Sequence, residues 1–265
     1  MQFQHRSKTF DIVGFTQNDH IYKNISRSRN FYEIDLLEYI RNLKSYFRSK
    51  NDKNIVVDVG ANIGNHSIYF GSFIADHVIA IEPNPDILDT LRRNLALNIK
   101  NYTLCEYAVG EKKGYGSIEV PTNMSENIGS ASIDLKDTKG TIEISTIDSV
   151  ISSWNENVGP PISVSLIKID VEGMESQVLK GAEQTILKFK PHIFSEAATN
   201  EELKKILNYL RPLGYRKLPG HWATTPVWHF SHKPDLYLII YSYCMQLIRF
   251  ARKVKYGLTK RFIGR

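Results

Sequence analysis

Two short stretches of this chain could build a nucleoside pocket. Val56-Val57-Asp58-Val59-Gly60-Ala61-Asn62-Ile63-Gly64-Asn65-His66-Ser67 carries an apolar run into a glycine-containing turn, and Ile79-Ala80-Ile81-Glu82-Pro83-Asn84 carries a second apolar run into an acid. In an α/β fold the turn lets backbone approach the ligand, and an acid at the next strand tip accepts hydrogen bonds from ribose hydroxyls. A dinucleotide site wants G-x-G-x-x-G, because a pyrophosphate lies against bare backbone at a helix start. Here the pattern is Asp58-x-Gly60-x-x-x-Gly64, and Asn62 puts a side chain where a diphosphate needs room. The charge of Asp58 repels phosphate and favours an ammonium group. S-adenosylmethionine (SAM) has an α-amino group, a sulfonium and an adenosine, and no phosphate. The motif therefore suits SAM better than a nicotinamide dinucleotide.

Chemistry on SAM is an in-line displacement at the sulfonium methyl. The protein has to align a nucleophile, exclude water and, for a hydroxyl nucleophile, take a proton. The segment Leu166-Ile167-Lys168-Ile169-Asp170-Val171-Glu172-Gly173-Met174-Glu175 supplies acids for that task. Asp170, at the end of a central strand, is the first candidate base. Glu172 is second, with helix capping as its alternative role. His192 and Glu196 on the neighbouring strand follow, each also readable as a structural hydrogen-bonding group. Asp170, Glu172 and Glu175 are oxygen ligands of the kind Mg²⁺ uses; acids at a helix start also serve the helix dipole, and no metal is assigned. His66 could orient substrate or bond backbone. Trp222 and Trp228, with His221 and His229, could stack on a sugar ring or fill the core.

These residues need elements to hold them. Strands are predicted at 55–59, 78–82, 102–107, 166–169 and 192–195, with helices at 33–50, from 65, at 86–99, 174–189 and 201–210. Strands alternating with helices imply a Rossmann-like, doubly wound α/β fold, its sheet mostly parallel with helices on both faces. Asp58, Glu82, Tyr107, Asp170 and Glu196 then fall at or just past strand ends, where such sheets bind ligands. Residues 110–140 read as a polar insertion with an antiparallel hairpin. Three regions are expected: a helical cap at 1–50, a SAM-binding core at 51–232 and a basic amphipathic helix at 233–265.

The segments match a known pattern. The chain resembles the FkbM family of class I SAM-dependent methyltransferases at residues 57–67, 81–84, 108–110, 127–132, 147–148, 168–175, 179–182 and 191–196, within coverage of about 30 to 230. Lys168-x-Asp170-Val171-Glu172-Gly173 is the most discriminating part, and Phe31-Tyr32-Glu33 resembles one branch of the family. The resemblance implies SAM as cofactor and hydroxyls of sugars, lipids or natural products as acceptors. Asp58 and Gly60 are expected at the methionine end, with Asn62, Gly64 and Ser67 nearby. Glu82 takes the ribose, with Pro83 and Asn84 fixing its approach. Glu106, Tyr107 and Ala108 match the position that frames adenine in methyltransferases. The loop at Asn127, Gly129 and Ser130 would border the acceptor.

Composition narrows the class. The 265 residues are 42% hydrophobic, ample for one sizeable core. Cys105 and Cys244 give neither a disulfide framework nor metal-ligand spacing. The first residues lack the apolar run of a secretory signal, so a cytoplasmic protein is expected. The net charge of +6 is local: residues 233–265 hold eight Lys and Arg and one Asp, which leaves the rest at −1. A body without basic excess argues against a nucleic-acid partner. In the tail, Leu236, Ile240, Tyr243, Leu247, Ala251, Val254 and Leu258 recur at helical spacing with Arg249, Arg252, Lys253 and Lys260 opposite. Such a helix can lie on an anionic membrane surface or dock on the body or a second copy, and the lean is to the membrane. The sequence-level reading is an O-methyltransferase of a saccharide or glycolipid of surface-polysaccharide type, peripheral on the inner face of the membrane. A methyltransferase of natural products, nucleic acid or protein, and a non-catalytic binding module, are the alternatives. Self-association stays open.

Overall fold

The computed structural model describes residues 1–16, 19–47, 52–119, 132–134, 140–157 and 161–263. Asn127, Gly129 and Ser130 lie outside the described residues. The chain opens with a hairpin, β1 (Gln2–His5) and β2 (Lys8–Asp11), then α1 (His20–Ser28), α2 (Ile34–Asn42) and α3 (Lys44–Phe47). The core follows with β3 (Lys53–Val59), α4 (Asn65–Phe73), β4 (His77–Ile81), α5 (Pro85–Asn98) and β5 (Tyr102–Cys105). Next come β6 (Ala108–Val109), β7 (Gly114–Glu119), β8 (Ser132–Asp134), β9 (Ile142–Ser145) and α6 (Ile147–Asn157). The chain then forms β10 (Ile162–Ile169), α7 (Glu175–Lys180), α8 (Glu183–Phe189), β11 (His192–Glu196), α9 (Asn200–Leu210), β12 (Tyr215–Lys217), β13 (Val227–His232) and α10 (Leu236–Ile263).

The central sheet has the order β12-β13-β11-β10-β3-β4-β5. Strands β11, β10, β3, β4 and β5 pair in parallel, and β13 alone among the seven runs the other way. From β3 the chain moves outward through β4 and β5, then crosses to β10 on the other side. The C-terminal ends of β3 and β10 therefore flank the switch point, where doubly wound sheets open a crevice. Both faces are covered, so β3, β10 and β11 are buried almost throughout. The polar insertion holds a second sheet of order β6-β9-β7-β8, in which β7 pairs antiparallel with both β8 and β9.

Two expected helices are broken. The one predicted over 174–189 splits into α7 and α8 at Gly181, where a Cβ would stand 1.9 Å from the Gly110 carbonyl oxygen. That close approach to the chain after β6 admits only glycine, and glycine weakens the helix there. The one predicted over 33–50 divides at Leu43.

The N-terminal residues, opaque in sequence, are tied down by asparagines. Asn94 on α5 accepts from the Val13 amide and donates to the Val13 and Ile63 carbonyls, each at 2.8 Å. Asn65 and Tyr32 exchange a reciprocal pair of bonds at 3.0 and 3.1 Å. Phe3, Phe10, Phe31, Leu37 and Ile40 share one apolar cluster with α4 and α5. This anchoring carries Tyr32 and Glu33 to the switch point.

A buried polar chain lies under α2. His192 Nδ1 meets His229 Nε2 at 2.8 Å, and His229 Nδ1 meets the Tyr39 hydroxyl at 2.9 Å. Burial pulls His192 down to about 4 and His229 well below its ordinary value. Both rings are neutral when folded, whereas the unfolded chain protonates near 6.5. Stability is therefore lost as pH falls from 6.5 toward 4, by about 3 kcal/mol for His192 alone. Urea midpoints of the wild type should fall steeply across that window, and those of His229→Phe less so.

Helix α10 docks through one side. Leu238 and Ser242 are buried, Ser242 Oγ donates to the Pro219 carbonyl, and Arg249 donates to the carbonyls of His221 and Ala223. The Arg249 guanidinium also lies over the Trp222 ring.

Candidate active site

The β3–α4 turn is shaped by two glycines and an asparagine in left-handed conformation. Gly60 has φ +76°, and a Cβ there would fall 1.8 Å from the Asp170 carbonyl oxygen. The two signature segments thus touch, and only glycine permits it. Gly64, at φ +90°, starts α4. Asn62, at φ +51°, folds its Oδ1 back onto the Ile63 amide at 2.7 Å. Its side chain steadies the turn, since asparagine tolerates this region.

Glu82 stands just past β4 and joins two loops. Its carboxylate oxygens accept from the amides of Asn62 at 2.8 Å and Asn84 at 3.0 Å. Burial pushes its pKa up, against the pull of those amides. A carboxylate has about four acceptor sites, so two remain for hydroxyls. Beside it, Asn84 Oδ1 caps α5 through the Asp86 amide, while Asn84 Nδ2 is buried with no hydrogen-bond partner among the described residues. Asn84 lines a 390 Å³ cavity together with Glu82 and Pro83. A ribose needs such a donor beside an acceptor. Ile81, Ile87, Ala108, Val109, Ile118 and Met174 supply the apolar wall an adenine requires.

The structure places Asp58 differently from the sequence expectation. Asp58 is fully buried and does not line the cavity. Its Oδ2 accepts from Ser67 Oγ at 2.6 Å, and its Oδ1 lies 3.5 Å from Lys168 Nζ. Lys168 is itself buried, 3.2 Å from Asp170 Oδ2 and 3.4 Å from the Gly60 carbonyl. Burial pulls the Lys168 pKa down, but Asp170, Asp58 and Glu33 raise it further, so the ammonium is retained. The group facing Asp58 is therefore the chain's own cation. Sequence reasoning singled out the motif around Lys168 without giving the lysine a role. The signal was there: a lone lysine in an apolar parallel strand is buried with a partner or not at all.

Three acids converge beyond Lys168. Asp170 follows β10 and Glu196 ends β11, on adjacent parallel strands. One carboxylate oxygen from each of Asp170, Glu172 and Glu196 lies within 4.8 Å of the others. Burial opposes ionisation of Asp170, but Lys168 and a hydrogen bond from Glu196 hold its pKa low. Burial and the Asp170 charge push Glu196 strongly up, so the pair shares one proton. Glu172, in left-handed conformation at φ +48°, has its outer side in solvent; partial burial at the cavity rim, then the charges of Asp170 and Glu175, raise it to about 7. The capping alternative falls to Glu175, whose Oε1 accepts from the Gly173 amide at 3.0 Å. From the N-terminal segment, Glu33 Oε2 comes within 3.2 Å of His66 Nε2, and both residues line the cavity.

Gly64 and Ser67, like Asp58, do not line the cavity, and three further expected site residues lie elsewhere. His192 sits at the opposite end of β11 from Glu196, four residues and about 13 Å away at strand rise. It is a core residue held by His229, and β11 is buried on both faces, so alternation could not place it. Glu106 is exposed and paired with Arg92, with Nε donating to Oε1 at 2.7 Å. Tyr107 packs on the apolar cluster of the opposite sheet face. Of that trio only Ala108 reaches the cavity wall. Trp222 is buried and stacks on Tyr39 at 4.3 Å, and Lys217 covers Trp228. Tyr32, Thr224 and Thr225 line the cavity without having been singled out as site residues; each is delivered by an element remote in sequence.

A model of the FkbM methyltransferase domain matches residues 58–217. The chain belongs to the FkbM methyltransferase family, within the class I fold its sheet order defines, and its cofactor is SAM. It is 32% identical over 132 residues to the hexuronic acid methyltransferase AglP of Haloferax volcanii, covering 49% of this chain and 50% of that one. It is 27% identical over 156 residues to the methyltransferase sdnD of Sordaria araneosa, covering 49% and 60%. The chain thus spans about half the length of the curated relatives it matches. Among solved structures, an FkbM methyltransferase from Methylobacillus flagellatus aligns with 24% identity and a TM-score of 0.46, over 70% of this chain and 45% of that one.

Proposed function

We propose that this protein is a SAM-dependent O-methyltransferase acting on a hydroxyl of a saccharide or glycolipid of surface-polysaccharide type. The observation that carries the reading is the carboxyl trio of Asp170, Glu172 and Glu196 opening onto the same cavity as the Glu82–Asn84 corner. Bound SAM supplies an electrophilic methyl group on a good leaving group. Glu82 and Asn84 would hold its ribose, and the apolar wall its adenine. Asp170, held ionised by Lys168, would offset the positive charge of the methionine end. Asp170 is thereby a weak base. Glu172, with its proton affinity near neutrality, is the better group to take the hydroxyl proton as oxygen bonds to the methyl carbon. The N-terminal segment, through Tyr32 and Glu33, closes one side against water.

The acceptor class draws support from the name of the Haloferax relative, a hexuronic acid methyltransferase. The placement, cytoplasmic and peripheral on an anionic membrane, draws support from the basic tail. Among the described residues no helix is long and apolar enough to cross a membrane. Mass spectrometry of surface glycans and lipids with and without the gene tests the reading. The expected change is the loss of one methylene mass from one glycan species. An unchanged glycan profile beside a lost methyl on a secondary metabolite, RNA or protein would contradict it.

A further inference from the structure

Among the described residues, the outer face of α10 is left exposed. Leu236, Ile240, Tyr243, Leu247 and Phe250 recur at alternating steps of four and three residues, so they form one stripe. Tyr237 and Ile248 flank it, and all seven are between 45% and 71% exposed. These seven make up most of the large exposed apolar side chains among the described residues. No charged residue lies between Leu236 and Ile248. The sequence pattern alone would put the apolar side against the body and the cations in water. In the structure the apolar side is the exposed one. Leu238 and Ser242 face inward, and Arg249 is spent on the 221–223 backbone and the Trp222 ring.

We propose that this stripe is a lipid-binding face, with α10 lying flat in the headgroup layer of an anionic membrane. The proposal extends the membrane-side reading of the tail by naming the face that enters. Charge selects lipid over a second copy. Residues 233–265 carry a net +7, with Asp235 the sole acid. Pairing two such segments stripe to stripe would bring both excesses together, and repulsion opposes that. Anionic headgroups offset the same charge. The stripe also carries Tyr237, Tyr243 and Phe250, and tyrosine suits the boundary between apolar and wet layers. With 28 residues the helix is about 42 Å long, enough to lie along the surface over many headgroups. Its mixed outer and inner faces suit that posture rather than a crossing.

The chain supplies its own probe. Cys105 is buried and Cys244 is exposed beside the stripe, so a polarity-sensitive thiol dye reports on this face. The full chain, labelled at Cys244, is mixed with vesicles of phosphatidylcholine with and without phosphatidylglycerol. The proposal expects co-sedimentation and a blue shift only with the anionic vesicles. The double substitution Ile240→Glu with Leu247→Glu should weaken that binding by roughly tenfold or more. Titration with S-adenosylhomocysteine runs in parallel and should be unchanged by the double substitution. A chain that binds S-adenosylhomocysteine but ignores anionic vesicles overturns the lipid face and leaves the enzymatic reading intact. A wild-type dimer that the double substitution dissociates assigns the stripe to a second copy and equally overturns it. Vesicle binding without affinity for S-adenosylhomocysteine would contradict the enzymatic reading alone.

Discussion

Replacing Lys168 with methionine should cost the fold about 3–5 kcal/mol and abolish cofactor binding. The ammonium is the shared partner of Asp58 and Asp170, at 3.5 and 3.2 Å. Methionine matches its length and supplies no charge. Asp58 would then be buried with only Ser67 to bond it, and Asp170 would face Glu196 with no cation behind it. Removing one partner of a buried charge pair costs more than the pair contributed, because the remaining charge stays desolvated. The effect has a pH signature of known sign. In the wild type the Asp170 pKa is depressed, so its contribution is present above the unfolded value and lost as pH falls through the folded one. In Lys168→Met, Asp170 loses the cation that holds it ionised, and its protonation relieves the strain. The deficit should therefore shrink toward acid pH. Urea midpoints of both proteins at neutral and mildly acid pH decide the matter. A variant as stable as wild type at neutral pH would contradict the central role of the lysine.

Glu172→Gln should lower kcat by roughly 10²–10³-fold and remove the pH dependence that centres near 7. In the wild type, turnover should rise with pH as Glu172 ionises, half complete at about 7. The glutamine has no such ionisation, so its residual rate should be flat through neutrality. Glu172 is exposed, and the thermal midpoint and affinity for S-adenosylhomocysteine should hardly move. Asp170→Asn should also lose turnover, but with a fall in stability, because Lys168 then loses the nearer of its two ion pairs. The two variants thus separate a proton acceptor from a group that organises charge. If Glu172→Gln keeps both the rate and the slope, the proton goes to Asp170 instead.

Much of this site was legible in the sequence because its geometry is backbone geometry. Gly60, Gly64 and Glu82 follow from a strand, a tight turn and the next strand tip, all local in sequence. Asp170 and Glu196 were placed by counting to the ends of predicted strands, which parallel register then brought side by side. The failures have a common physical cause. Strand ends say where a side chain starts and not where it points. Glu106 found Arg92 on the surface, Tyr107 turned into the core, and Asp58 pointed at a lysine instead of the cavity. His192 fell at the wrong end of its strand. Contacts over long sequence separations were invisible, as with Asn94 gripping Val13 and Tyr39 bonding His229. The tail shows the limit of periodicity: the stripe was legible, but which side faced the body depended on Arg249 finding the 221–223 backbone.

A crystal structure of the full chain with S-adenosylhomocysteine tests the account most directly. The ribose hydroxyls should lie within hydrogen-bond distance of Glu82 and Asn84 Nδ2, the adenine against Ala108 and Ile87, and the sulfur beside Asp170. A nucleoside bound away from Glu82, or no binding at all, would contradict it.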